Sequence, residues 1–205
     1  MRPGKHLKTS FTAALQLLLA IVLALSLPGR GEAEDGFTYK LALPGRKISL
    51  PADHYSHPDF KTEWWYYTGH LESETGRRYG YQVTFFRFGL RERQQDTKNK
   101  PPLFTDLYMA HFAISDVDRK KFLFREKINR GYQEKAGAAT DRYLVWNEDW
   151  KVYEDEKDHL IQANDRGTKL SLRLSSTKPP VLHGDNGLSQ KGEGEGRAED
   201  RKSVV

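Results

Sequence analysis

The sequence predicts an all-β, antiparallel fold, an up-and-down barrel or sandwich, behind an export signal. Three observations predict it. From Phe37 onward, segments rich in Tyr, Phe, Trp, Val and Thr recur at short spacing, divided by Gly, Pro, Asp and Asn. No stretch after residue 33 keeps the helical apolar period of about 3.6 residues over several turns. Aromatic residues make up 12% of the 205, bulk that disordered chains lack.

The first element is the signal. Arg2, Lys5 and Lys8 form a positive n-region, and the apolar run Phe11 to Leu27 follows, broken only by Thr12, Gln16 and Ser26. Gly31-Glu32-Ala33 supplies a small-residue cleavage site. Residues 1–33 therefore read as a helical signal peptide for export to a periplasm or the cell exterior. The alternative is an uncleaved anchor in the inner membrane over residues 7–27. Residues 34–49 form an N-terminal extension. The whole chain carries 33 Lys+Arg against 28 Asp+Glu. Removing residues 1–33 takes away four cations and one anion, leaving 29 against 27, a net +2. That gives no clustered cationic excess for phosphates, so nucleic acid is not an expected partner. The absence of Cys excludes disulfides, thiolate metal sites and a Cys nucleophile.

The strands follow in order. Thr62 to Glu72 (TEWWYYTGHLE) is the first, and Ser73-Glu74-Thr75-Gly76 turns the chain. Arg78 to Leu90 returns, and a polar loop holds Pro101-Pro102. Leu107 to Val117 and Lys121 to Asn129 make a second hairpin through Asp118-Arg119-Lys120. Shorter strands are predicted at Tyr143 to Glu148, Trp150 to Tyr153, His159 to Asn164 and Lys169 to Ser176, for about eight or nine in all. In the first strand Trp64 and Tyr66 face one way, Trp65 and Tyr67 the other. Aromatic bulk on both faces either packs the outside against something or lines a cavity that holds an apolar small molecule. The alternative is a two-layer core with aromatic filler. The expected ligand-binding residues are Trp64, Trp65, Tyr66, Tyr67, Tyr81, Phe85 and His111.

Three polar groupings invite chemistry. Asp53, His54, His57 and Glu63 have the donor types of a zinc or iron site, but nothing fixes their spacing, and a loop bonding its own backbone explains them as well. No metal and no cofactor is expected. Glu63, beside Trp64 and Trp65, is a candidate general acid if its carboxyl is desolvated. A buried ion pair with Arg87 is the competing reading. His111, on a face with Leu107, Met109 and Ala113, is either a hydrogen-bonded structural residue or a candidate proton carrier.

The strings ADHYSHPDFKTEWWYYTGHL, GYQVTFFRFGL, LYMAHFAISDV, VWNEDW and PPVLHGDNGLSQKG, in this order, resemble the AttH-like secreted proteins, relatives of the hydroxyneurosporene synthase type of carotenoid 1,2-hydratase. The resemblance implies a lipocalin-like (calycin) barrel over residues 50–192, and a family of two such halves of which this chain matches the N-terminal one. It also implies an apolar, isoprenoid-like ligand, a missing C-terminal half-domain and an ABC transporter as partners. In the hydratase branch the protonating acid belongs to the C-terminal half, near a His-Glu-Trp-like motif absent here, so no catalytic residue is carried over and the chain alone is expected to be inactive. Residues 193–205 turn to Gly and charge, and Asp200 to Val205 read as the translation of a sequencing adapter. They are expected to be a disordered, artefactual tail.

Overall fold

The computed structural model describes residues 39–90 and 106–189. The expected signal peptide, the Pro101-Pro102 loop and the expected tail lie outside the described residues. Nine strands follow one another: β1 (Thr62–Glu72), β2 (Arg78–Gly89), β3 (Asp106–Asp116), β4 (Lys121–Arg130), β5 (Ala136–Ala138), β6 (Leu144–Asn147), β7 (Trp150–Asp155), β8 (Asp158–Asp165) and β9 (Thr168–Ser175). Each pairs antiparallel with its chain neighbour, in a four-stranded sheet β1-β2-β3-β4 and a five-stranded sheet β5-β6-β7-β8-β9.

Local chemistry sets the turns. Gly76 (φ +75°) closes β1 onto β2, and its N–H donates to the Ser73 carbonyl at 2.8 Å. β8 returns into β9 through Arg166 and Gly167, both at positive φ, as a two-residue hairpin with right-handed strand twist requires. β5 has none of the β-branched or aromatic residues that signal a strand. It forms because Gly137 lies opposite Trp146. A Cβ there would come within 2.4 Å of the indole.

The two sheets pack face to face. Tyr67, Val83, Phe85, Ala110 and Phe112 of the first meet Val145, Trp150, Val152, Ile161 and Leu170 of the second. Phe112 stands edge-on to Trp150 at 5.7 Å. Asn147, fully buried on β6, donates to the carbonyls of Tyr108 (3.2 Å) and Lys127 (3.3 Å) and accepts from Asn129 at 2.7 Å. That side chain gives strands of one sheet the backbone partners that a ladder would otherwise supply.

The closed barrel is therefore corrected to two unclosed antiparallel sheets. Among the described residues no ladder joins β4 to the second sheet. Instead the inward cations of β4 reach across it: Arg125 pairs with Asp165, and Lys127 pairs with Glu148 (3.1 Å) and Asp149 and sits 4.7 Å over the Trp150 ring. Side chains occupy the space between the sheets, so the strands meet as a sandwich rather than as a ring. The Tyr39 hydroxyl lies where a Cβ on Gly89 of β2 would be, and Ile48 lies against Gly187 in the segment after β9.

The two faces differ in consequence. Phe112→Ala, at the buried centre, is expected to cost about 3–5 kcal/mol of stability. Phe122→Ala, on the outer face, is expected to change it by less than about 0.5 kcal/mol. Urea denaturation of the two variants checks both.

Candidate functional site

Strand alternation sends the predicted ligand residues to opposite sides. Trp65, Tyr67, Tyr81 and Phe85 face the core. Trp65 donates its indole N–H to the His54 carbonyl at 3.0 Å, and Gly69 leaves room for the Tyr81 ring, which would lie 3.0 Å from a Cβ there. Trp64, Tyr66 and His111 leave by the outer face of the first sheet. The two aromatic faces expected from the alternation are both present, and one of them is used up as core.

The outer face is built in register. Trp64, Phe86, Met109 and Ile128 form one row across the four strands. Thr62, Phe88, Leu107 and Arg130 flank it on one side, and Tyr66, Thr84, His111 and Glu126 on the other. Beyond them, Phe124 and Phe122 close the next two rows. Phe122 is 70% exposed, Ile128 54%, Phe124 46% and Tyr66 38%. Phe86 and Phe88 stack at 6.1 Å. His111 lies in the middle, edge-on to Phe86 and Phe124 at 5.3 Å each, with its Nε2 2.9 Å from Glu126 Oε2. A contiguous apolar surface of this kind is a candidate interaction site. Sequence reading left Phe86, Phe88, Met109, Phe124 and Ile128 out of the ligand-binding residues. Alternation alone places Met109 on the face of His111, but joining Phe124 and Ile128 to that face needed the register of β3 and β4.

Glu63 lies on the inner face, opposite Arg87 in register. The Arg87 guanidinium, 1% exposed, donates to Glu63 Oε2 (2.8 Å), to Asp106 Oδ1 (2.8 Å) and to the carbonyls of His57 and Phe60. Glu63 also accepts from Ser56 Oγ at 3.0 Å and from the His57 N–H at 2.6 Å. Burial works to raise its pKa, but the His57 hydrogen bond and the Arg87 charge outweigh it and hold the carboxyl below its ordinary range. A carboxylate so satisfied is a poor proton donor. The loop's other candidate ligands satisfy one another too. Asp53 pairs with Arg46 at 2.6 Å and lies 3.3 Å from His57 Nε2, whose Nδ1 lies 3.1 Å from Glu63. His54 turns away, toward the ring of His159.

Sequence reading also missed a polar cluster between the sheets. Tyr67 Oη lies 2.7 Å from both Tyr143 Oη and His159 Nδ1. Burial pushes both phenols up and His159 down.

The sequence model of the AttH-like family matches residues 41–203. Among solved structures, the chain is similar to a crystal structure assigned as an AttH from Nitrosomonas europaea, with 30% identity and a TM-score of 0.65. That match covers 77% of this chain and 47% of the other, so the chain spans about half the length of that structural relative. No curated protein matches the chain.

Glu63→Leu, which removes one of the two carboxylates paired with the buried Arg87 and leaves Asp106 as the other, is expected to cost about 1–3 kcal/mol at neutral pH. A carboxyl with a depressed folded pKa stabilises above its ordinary value of 4.5, and that stabilisation is lost as pH falls through the folded value. The gap between parent and variant in urea should therefore narrow as the buffer is taken below that value.

Proposed function

The chain belongs to the AttH-like family, and on that footing we propose that it is an exported domain that holds an apolar, isoprenoid-like ligand against the outer face of its four-stranded sheet. The exposure of Tyr66, Phe122, Phe124 and Ile128 on one continuous face, with the half-buried Trp64 and Phe86 among them, supports this reading. The core gives no competing place of equal quality, because Val83, Phe85, Phe112, Trp150, Val152 and Ile161 fill the space between the sheets and are at most 1% exposed.

An open sheet face covers only one side of a small molecule, whereas binding sites bury about 70–90% of a ligand. A second surface must close over it. We assign that role to a C-terminal half-domain, for which the longer structural relative has the length, within an envelope or ABC-transport system. Export rests on the n-region and apolar run of residues 1–33.

A hydratase-like lyase is the alternative, and in this chain the carboxyls do not favour it. Alkene protonation needs a dry, protonated acid beside the double bond. Glu63 lies on the opposite face beneath Arg87, and the carboxyl central to the outer face, Glu126, is solvent-exposed and bonded to His111.

The paired indoles supply the test, because Trp64 and Trp65 leave by opposite faces. A nitroxide-labelled aliphatic chain quenches Trp emission only at contact. It is expected to quench the parent and Trp65→Phe, to lose most of its effect on Trp64→Phe, and to bind Phe124→Asp poorly. Quenching that survives Trp64→Phe would place the ligand in the interior instead, and absence of quenching in the parent would remove the proposal.

A further inference from the structure

We infer that Tyr143, Tyr67 and His159 form an acid-labile clasp holding one end of the two sheets together, which proton uptake on His159 undoes. The three belong to different parts of the fold: Tyr67 to β1 in the first sheet, His159 to β8 in the second, and Tyr143 to the loop before β6. Their chain of contacts is short, at 2.7 Å from Tyr143 Oη to Tyr67 Oη and 2.7 Å from Tyr67 Oη to His159 Nδ1. The Tyr143 ring also stacks on the His159 ring at 4.8 Å.

Hydrogen-bond accounting makes the clasp directional. With Nδ1 of a neutral His159 unprotonated, Tyr67 donates to it and accepts from Tyr143, and every hydroxyl proton has an acceptor. An imidazolium carries protons on both ring nitrogens. Nδ1 then donates to Tyr67 Oη, and Tyr67 must turn its own proton toward Tyr143. Among the described residues Tyr143 Oη has Tyr67 as its hydrogen-bond partner, so the Tyr143 proton is left without an acceptor at a site only 5% exposed. A buried donor without a partner is costly, at about 1–3 kcal/mol.

The charged surroundings do not offset this. His54, on the turn at Ala52–His54, has its ring 6.0 Å from that of His159, and the two repel when both are protonated. Glu154 of β7 is the cross-strand neighbour of His159 but is itself exposed. Asp158, next along β8, is taken by Arg173 at 2.9 Å. From β9 the facing residue is Leu174. Burial first, and then the His54 charge, hold His159 below its ordinary pKa of 6.5. A lowered histidine stabilises the fold fully above that value and loses the contribution as pH falls below it.

Urea unfolding of the full chain at about pH 7.5 and pH 5 tests the clasp, because few carboxyls titrate in that window. The parent's unfolding equilibrium constant is expected to rise about tenfold on acidification, with hydrogen-exchange protection falling first in β1 and β8. His159→Gln retains an acceptor without a titration and is expected to flatten the profile. Tyr67→Phe takes away the hydroxyl that links the other two, leaves Tyr143 without an acceptor at either pH, and is expected to reduce the slope as well, which keeps the test alive if His159→Gln folds poorly. A parent that shows no acid sensitivity in this window, or variants that both keep the parent's slope, would overturn the inference.

Discussion

Successive side chains of a β-strand leave by opposite faces, and in the first sheet both faces are apolar. Much of the molecule follows from that constraint. One set, with Tyr67, Val83, Phe85 and Phe112, is spent on joining the two sheets. The other, with Trp64, Phe86, Phe124 and Ile128, remains at the outer face of the first sheet. A one-residue slip of β1 would exchange Trp64 for Trp65 and would also swing Glu63 out of reach of Arg87. The register of a strand that is greasy on both sides is thus fixed by its charged residue.

The partner of that charged residue has a wide structural reach. Arg87 ties β2 to β1 through Glu63, to β3 through Asp106, and to the preceding loop through the His57 carbonyl. Four acceptors around one guanidinium, two carboxylates and two backbone carbonyls, repay its desolvation, where a single carboxylate would not. The same loop delivers His54 to His159, and Ser56 donates its N–H to the Ala139 carbonyl at 2.9 Å. The cluster at Arg87 and the one at Tyr67 are therefore linked through a single short segment.

The sequence made some of this legible and not the rest, for physical reasons. The bounds of β1 could be read because Ser73 to Gly76 is a strong turn signal, and the opposition of Glu63 and Arg87 follows once that hairpin is fixed. Which indole faced inward could not be read, because Trp64 and Trp65 satisfy a core equally well. Tyr143 and His159 lie 76 and 92 residues from Tyr67, a separation over which periodicity carries no information. β5 went unseen because its reason for existing is the ring of Trp146 above Gly137, not its own composition. Whether the sheet closes was decided by the inward cations of β4, which reach side chains of the second sheet rather than backbone.

Among the described residues every strand ladders only with strands adjacent to it in the chain, and the series breaks once, between β4 and β5. Assembly can therefore proceed largely by local zippering, because every hairpin except β2–β3, whose connection runs through residues 90–105, closes a loop of only a few residues with little entropy lost. The long-range step is the joining of two preformed meanders, where Phe112 meets Trp150 and Asn147 finds its carbonyls. A sequence arranged in this way postpones its slowest search until both surfaces already exist.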